Sequence, residues 1–247
     1  MVRLILERML ALNYKYLLFD LDNTLLDFHT SEHQALMATF NDYQIEASPT
    51  NEQAYLTANQ AMWALFEQGK IDLESLQDRR FSDFFKAIDR PDLDPRKARW
   101  VYADHLAQAV YYMDGALELL NQLQKDYPLY ITSNGITYIQ TKRLTAAGLT
   151  QYFQDIFLSQ EVGSFKPDRA YFDYVFDQIQ AQDKEFSLDQ TLIIGDSLSS
   201  DMQGGRNAGI TTVWYHPQGI VDQNPRQVDH QIQHLNQLPS LLQQLNQ

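Results

Sequence analysis

Residues 16–27 of the chain read YLLFDLDNTLLD, an apolar run that is interrupted by acidic side chains. The apolar residues are typical of a strand that is buried on both faces, as in a parallel sheet. Asp20 and Asp22 directly follow this strand, where an ionised carboxylate is costly unless it is paired, hydrogen-bonded or bound to a cation. The stretch therefore predicts a central strand with a functional site at its carboxyl end.

Four further apolar runs alternate with segments of helical periodicity. The runs are PLYITSN (128–134), DIFLS (155–159), TLIIGD (191–196) and TTVWY (211–215). The helical segments lie at 114–126, 136–147, 168–180 and about 199–208. Strands that alternate with helices predict an α/β fold with a doubly wound, mostly parallel, Rossmann-like sheet.

A long segment without strand signals separates the first strand from the rest of this pattern. Helical periodicity within it covers 30–42, 51–67, 73–88 and 95–110. We therefore predict a helical cap at 28–111, inserted into a catalytic core that is formed by residues 1–27 and 112–247. Hinges are expected near 27–29 and 111–114.

Local patterns predict where some of these cap helices begin. Residues 31–34 and 50–53 each fit a capping box, and Asp94 followed by Pro95 is typical of a helix start. The aromatic residues at helical spacing are expected to be mostly core, although any of them could stack on a planar substrate. They are Trp63, Phe66, Trp100, Tyr111 and Tyr112.

The composition narrows the range of partners. The 247 residues include no cysteine, so any metal must be held by oxygen or imidazole ligands. The formal net charge of −13 argues against nucleic-acid polymers, whose binding depends on clustered Lys and Arg. The opening MVRLILERML lacks the features of a targeting signal, and no apolar stretch approaches the roughly 20 residues of a membrane helix. We therefore expect a cytoplasmic protein that binds a small molecule and no membrane.

Polar residues with chemical potential lie where the predicted strands end. They are Asp20 and Asp22 after the first strand, Ser133 and Asn134 after the second, Lys166 beyond the third and Asp196 after the fourth. The carboxyl ends of parallel strands meet at one edge of a sheet, so these side chains are expected to converge. Crowded carboxylates repel one another unless a cation is present, which predicts Mg²⁺, and the lysine suits a phosphoryl group bound beside it.

Four motifs, in their order along the chain, resemble those of the haloacid dehalogenase superfamily in its phosphatase branch. They are DLDNTLLD (20–27), TSN (132–134), KPD (166–168) and GDSLSSD (195–201). The helical block after the first motif is similar to the cap of this superfamily, so the resemblance covers nearly the whole chain. It implies a Mg²⁺-dependent phosphatase of small phosphomonoesters that passes through an aspartyl-phosphate.

The resemblance also implies a role for each matching residue. Asp20 would be the nucleophile, and Asp22 the general acid and then the general base. The phosphate would be held by Thr24 in the nucleophile loop, Ser133, the Asn134 backbone and Lys166. The Mg²⁺ ligands would be Asp20, the main-chain carbonyl of Asp22 and Asp196, while Asp201 would bind the metal or orient its ligand shell.

Two longer stretches narrow the implied substrate. TSNGITYIQTKRL (132–144) and KYLLFDLDNTLLDF (15–28) are similar to pyrimidine 5′-nucleotidases that clear noncanonical nucleotides. This resemblance favours nucleoside monophosphates such as dUMP, UMP or dTMP, with a sugar phosphate or phosphoglycolate phosphatase as the nearest alternative. A 2-haloacid dehalogenase and a non-catalytic module that binds a phosphometabolite stay open. Asp22 argues against the dehalogenase, because a halide leaving group needs no proton.

Overall fold

The computed structural model describes residues 14–219 and 228–247. The amino-terminal stretch that we interpreted as lacking a targeting signal lies outside the described residues. The chain divides into two compact units. One comprises the described residues up to Phe28 and from Tyr111 onward, and the other is His29–Val110.

A parallel six-stranded sheet forms the centre of the first unit. Its strands are β1 (Tyr16–Phe19), β2 (Leu129–Ser133), β3 (Asp155–Leu158), β4 (Thr191–Gly195), β5 (Thr211–Tyr215) and β6 (His230–Ile232). The spatial order is β3-β2-β1-β4-β5-β6, so β1 lies between β2 and β4. All four side chains of β1 are fully buried, which explains why this strand is continuously apolar.

Helices lie between these strands and after the last one. They are α5 (Ala116–Leu123), α6 (Thr137–Ala146), α7 (Ser159–Val162), α8 (Arg169–Gln182), α9 (Gln203–Ala208) and α10 (Leu238–Leu245). The sheet grows in one direction from β1 to β3 and in the other from β4 to β6, which places the helices on both faces when crossovers are right-handed. The predicted doubly wound α/β fold is confirmed. Between β3 and α8, the residues of α7 form a single helical turn.

Four helices, α1 to α4, form the second unit. They are α1 (Phe28–Asp42), α2 (Pro49–Glu67), α3 (Leu73–Ala87) and α4 (Pro95–Gln108). Aromatic side chains pack in its interior: Tyr55 contacts Phe81, Phe84 and Tyr102 with ring centroids 5.4, 5.7 and 5.5 Å apart. This dense aromatic contact supplies the apolar core that holds the four helices together.

The helix starts in this unit differ in part from the sequence patterns. Asp94 caps α4 as predicted, since its carboxylate accepts hydrogen bonds from two backbone N–H groups. Both predicted capping boxes are wrong because their helices begin earlier. Ser48 caps α2, with Pro49 in the first turn. At the start of α1, the Phe28 N–H donates to Oδ1 of Asn23 in the preceding loop.

The aromatic residues that we expected to be mostly core are not fully buried. Trp100, Tyr111 and Tyr112 are exposed, and Trp63 and Phe66 are half-buried. The Tyr112 hydroxyl donates to the carbonyl of Ala147, and the ring stays on the surface of the first unit. Helical spacing alone was therefore a poor guide to their burial. Among the described residues, no helix combines the length and apolar character needed to cross a bilayer.

Candidate active site

The loop after β1 fixes the position of Asp20. The Asp20 N–H donates to the carbonyl of Ile194 on β4 at 2.9 Å, so the residue is still held by the sheet. Asn23 has a φ of 57°, a left-handed conformation that Asn tolerates better than most residues, and it turns the loop back. The hydroxyl of Thr24 then donates to Asp20 Oδ2 at 3.2 Å. The sequence therefore forms a tight loop that holds one oxygen of the carboxylate.

Lys166 is the cation at the centre of the site. Its Nζ lies 2.7 Å from Asp20 Oδ1, 2.6 Å from Asp201 Oδ1 and 2.7 Å from the carbonyl oxygen of Thr132. An ammonium group has three hydrogens, so each hydrogen has an acceptor within the protein. Burial disfavours the charged form of Lys166, but the two carboxylates outweigh it and raise the pKa above its usual value.

Asn134 holds the backbone of Lys166 in place. Its Oδ1 accepts from the Lys166 N–H at 2.9 Å, and its Nδ2 donates to the Lys166 carbonyl at 2.8 Å. The side-chain amide therefore pairs with both backbone groups of one residue and joins the end of β2 to the loop before α8. Both ends of the Asn134 side-chain amide are used in this way. The prediction for phosphate binding concerns the backbone N–H of Asn134, which these two bonds do not involve.

Asp20, Asp196 and Asp201 form an acidic cluster at this edge of the sheet. Each offers a carboxylate oxygen, and these oxygens all lie within 4.8 Å of one another. The pKa of Asp20 is raised to about 7, mainly by burial, which Lys166 opposes and the charges of Asp201 and Asp22 reinforce. Burial likewise raises the pKa of Asp196 to about 8, with Asp20 and Asp201 adding to the effect. Asp20 and Asp196 therefore resist ionising together beside a single lysine, and the all-oxygen donors of the cluster suit a hard divalent cation.

The turn after β4 places Asp201 against the sheet. Residues Leu198–Met202 form a π-helical turn, and Asp201 Oδ2 accepts from the Ser197 N–H at 3.1 Å. A methyl group at Gly195 would lie 2.3 Å from the carboxyl carbon of Asp201, so only glycine allows this approach. The Trp214 indole N–H donates to the carbonyl of Asp196 at 2.8 Å and holds the other side of the turn.

The hydroxyl of Ser133 accepts two hydrogen bonds. One comes from the Gly135 N–H at 3.1 Å and the other from Gln140 Nε2 at 3.0 Å. Both contacts use the oxygen as acceptor, so its own hydrogen is left to be donated elsewhere. This arrangement suits a hydroxyl whose partner is an anionic ligand.

Two side chains from α6 contact Asp22. Gln140 Nε2 donates to Asp22 Oδ2 at 2.5 Å, and Arg143 Nη1 forms an ion pair with Asp22 Oδ1. Arg143 is fully buried, whereas the Asp22 side chain is one-quarter exposed. We did not predict either α6 residue. One sequence pattern could have indicated them. Gln140 and Arg143 are three residues apart and therefore lie on the same side of α6, next to the buried Ile139 and Leu144.

The structure brings all of the predicted site residues to the carboxyl ends of β1, β2 and β4 within the first unit. Asp20, Lys166 and Asp201 are in direct contact, and Asp196 shares the acidic cluster. Gln140 connects Ser133 to Asp22. The geometry thus combines a held carboxylate, a buried cation, a candidate metal cluster and a second, more exposed carboxylate.

The sequence profile of the haloacid dehalogenase-like hydrolases matches residues 17–215, which include every residue of this site. The chain belongs to this family. The match confirms the family resemblance drawn from the four motifs. It also makes the protein a hydrolase.

Relatives of this hydrolase cover most of its length. YfnB of Bacillus subtilis, named as a HAD-hydrolase, is 40% identical over 204 residues, which are 83% of this chain and 85% of YfnB. The pyrimidine 5′-nucleotidase PynA of Streptococcus pneumoniae is 38% identical over 220 residues, or 89% of this chain and 91% of PynA. A crystal structure of YfnB bound to magnesium, which reveals interdomain movement in that protein, matches with a TM-score of 0.85 and 37% identity. That match covers 93% of this chain and 99% of the YfnB chain.

Proposed function

We propose that this hydrolase is a Mg²⁺-dependent phosphatase that cleaves pyrimidine nucleoside 5′-monophosphates through an aspartyl-phosphate. It is an enzyme of the phosphoric monoester hydrolase class, as its family and its nucleotidase relatives support. The observation that carries the proposal is the pairing of two aspartates with different contacts. Asp20 is buried against Lys166, and Asp22 lies two residues away at the more exposed side of the site.

The two carboxylates account for both steps of ester hydrolysis. In the first step, an Asp20 oxygen bonds to phosphorus, the bond from phosphorus to the ester oxygen breaks, and Asp22 gives a proton to that oxygen. In the second step, a water oxygen bonds to phosphorus, the bond from Asp20 to phosphorus breaks, and Asp22 takes a proton from the water. The alcohol leaves first and inorganic phosphate second. An alkoxide is a poor leaving group, which gives Asp22 a function that a dehalogenase would not need.

The remaining groups would bind the phosphate and the metal. The Ser133 hydroxyl, the Asn134 backbone N–H and the Thr24 loop would hold phosphate oxygens, while Lys166 supplies positive charge beside Asp20. The Mg²⁺ ligands would be Asp20, the main-chain carbonyl of Asp22, Asp196 and Asp201, in agreement with the all-oxygen donor set. When bound, the ion would supply positive charge that offsets the developing charge on the phosphoryl oxygens.

The substrate assignment is supported by the relatives PynA and YjjG, both pyrimidine 5′-nucleotidases. YjjG of Escherichia coli is 30% identical over 215 residues, which are 85% of this chain and 92% of YjjG. We propose that the helical unit, predicted as a cap at 28–111, selects the leaving group. The net charge of −13 favours a small cytoplasmic ester over a nucleic-acid polymer.

The test is phosphate release from a panel of esters, each measured with Mg²⁺ and with EDTA. The panel contains pyrimidine and purine nucleoside monophosphates, sugar phosphates, phosphoglycolate and p-nitrophenyl phosphate. We expect Mg²⁺-dependent release that favours the pyrimidine nucleotides. Preference for a sugar phosphate or phosphoglycolate would overturn the nucleotidase assignment only. No release from any ester, with chloride release from a 2-haloacid, would overturn the phosphatase itself.

A further inference from the structure

We propose that Arg143 and Gln140 are positioning residues that hold the Asp22 carboxylate for proton transfer and couple it to the phosphate site through Ser133. The proposal rests on the proposed function, in which Asp22 is the proton donor and acceptor. Neither α6 residue reaches Asp20 in the described contacts, so both would act through other side chains.

The contacts form a closed ring around Asp22. Gln140 Nε2 donates to Asp22 Oδ2 at 2.5 Å, and Arg143 Nη1 pairs with Asp22 Oδ1. The same Arg143 nitrogen also donates to Gln140 Oε1 at 3.0 Å, which orients the amide of Gln140. Each carboxylate oxygen is therefore held by a different donor, and the two donors hold each other. A side chain restrained at both oxygens has little freedom to rotate away from a reacting atom.

Gln140 connects this ring to the phosphate site. Its amide nitrogen carries two hydrogens, one directed to Asp22 and the other to Ser133 Oγ at 3.0 Å. A methyl group at Gly135 would lie 2.2 Å from Gln140 Nε2, so the backbone at this turn leaves space for the amide. One buried side chain thus orients both the proton-transfer group and a hydroxyl that faces the phosphate.

The three side chains of this ring differ in their exposure to solvent. Gln140 and Arg143 are 1% and 0% exposed, and the Arg143 guanidinium carbon lies 5.6 Å from the centre of the Phe28 ring. Within this ring of three side chains, Asp22 is the one that is partly exposed. A buried arginine that had only a structural role could pair with any acceptor. Here the acceptor is the carboxylate that the reaction requires at the surface of the site.

The test compares two esters that differ in their need for a proton. The p-nitrophenolate group leaves readily without one, whereas the alkoxide of a nucleoside monophosphate does not. We expect Arg143→Met to lower kcat for the nucleotide by about 10²-fold and for p-nitrophenyl phosphate by about threefold or less, since general acid catalysis contributes about 10²–10⁴-fold. Arg143→Lys should recover part of the nucleotide activity. Gln140→Leu should show the same preference and also raise KM, because it removes the bond to Ser133.

Lys142→Met is the matched control. Lys142 is an exposed cation on the same helix whose Nζ contacts the hydroxyl of Tyr138, and its loss should leave both activities unchanged. If Arg143→Met does not fold, Gln140→Leu and Arg143→Lys carry the same comparison of esters. Equal losses on both esters, or no loss on either, would overturn the positioning role. The proposed function fails separately, if the unmodified protein hydrolyses neither ester or if Asp20→Asn retains activity.

Discussion

The two units of the chain bury their cations in different surroundings. In the sheet unit, Lys166 and Arg143 each contact carboxylates, and both are almost completely shielded from solvent. In the helical unit, the Arg80 guanidinium lies 5.3 Å from the centre of the Phe81 ring and 5.0 Å from that of Tyr102. Arg80 also donates to Asn59 Oδ1 at 3.2 Å, while its Nε and Nη2 have no hydrogen-bond partner in the described structure.

Among the described residues, Arg80 is thus linked to a carboxylate only through an amide, since Asn59 in turn donates to the buried Glu32 at 3.0 Å, whereas Lys166 and Arg143 contact their carboxylates directly. Removing one partner of a buried ion pair leaves an uncompensated charge and costs about 3–5 kcal/mol. Replacing a buried ion by an apolar side chain of similar size is often neutral or stabilising when no charged partner is left behind. The sheet unit should therefore be more sensitive to a single charge change than the helical unit, in which the Asn59 amide separates Arg80 from Glu32.

The largest effect is expected at Asp20. Asp20→Asn keeps the shape of the side chain but removes the charge and the nucleophilicity, so kcat should fall by at least about 10³-fold. Phosphate release with Mg²⁺ measures the loss. Asp168→Asn is the control, since Asp168 is exposed and makes no side-chain capping bond at the start of α8. Near-normal turnover by Asp20→Asn would remove the nucleophile from the proposed mechanism.

The second largest effect is expected on stability, from a substitution of Lys166. Lys166→Met retains most of the length of the side chain but leaves Asp20 and Asp201 without their shared cation. The free energy of unfolding should fall by about 3–5 kcal/mol, measured by urea denaturation in EDTA. A decrease below about 1 kcal/mol would show that the buried pairs of the sheet unit contribute no more than surface pairs.

The matched substitution in the helical unit should have a much smaller effect. Arg80→Met replaces a buried cation that contacts aromatic rings with a flexible apolar side chain that can pack on the same rings. The free energy of unfolding should fall by about 1–2 kcal/mol, because Asn59 Oδ1 loses its donor but no direct ion pair is broken. Thermal unfolding of Lys166→Met and Arg80→Met under the same conditions compares the two losses of stability. If both lose similar stability, the distinction between the units is wrong.

The smallest effect is expected at the amino end of the sheet. The Asp183 carboxylate accepts from the Tyr16 hydroxyl at 2.7 Å and from Lys15 Nζ at 3.0 Å, and the Tyr16 contact contributes most to lowering its pKa to about 2. A lowered pKa in the folded state stabilises the protein above the unfolded value near 4, and this contribution is lost as the pH falls through about 2. Asp183→Asn should therefore slightly lower the urea midpoint at pH 7. The difference from the unmodified protein should shrink steadily when the pH is lowered from 5 to 2, and a constant difference would contradict the assignment.

The sequence was sufficient to predict the convergence of Asp20, Lys166 and Asp196. These residues are far apart in the chain, but each follows a buried apolar strand, and parallel strands place their carboxyl ends at one edge. The order of the four motifs then implied the roles. This part was predictable because it depends on topology, which the alternation of strands and helices already determines.

The parts that were missed depend on packing between elements. Arg143 and Gln140 reach Asp22 only because α6 lies against the end of β2, and their spacing alone does not indicate this contact. The start of α1 depends on Asn23 in the preceding loop rather than on a pattern inside the helix. Strand β6 has only three residues, and it follows Asp229, whose carboxylate accepts hydrogen bonds from the N–H and the hydroxyl of Thr212 on β5. Each of these features is set by a distant partner.

The central position of β1 affects the order in which the chain can fold during synthesis. β1 is the first described strand, yet its two neighbours are β2 and β4, which begin at Leu129 and Thr191. At roughly 5–20 residues per second, the ribosome needs on the order of ten seconds to reach β2. The residues of the helical unit, His29–Val110, are contiguous and complete by then, so we expect this unit to fold before β1 has any strand partner. Proteolysis of ribosome-bound chains that end near residue 150, in which β2 is still inside the exit tunnel, should then find the helical segment protected and β1 cleavable. The inserted unit would thus be an early folding unit, and the active site would be the last part of the molecule to assemble.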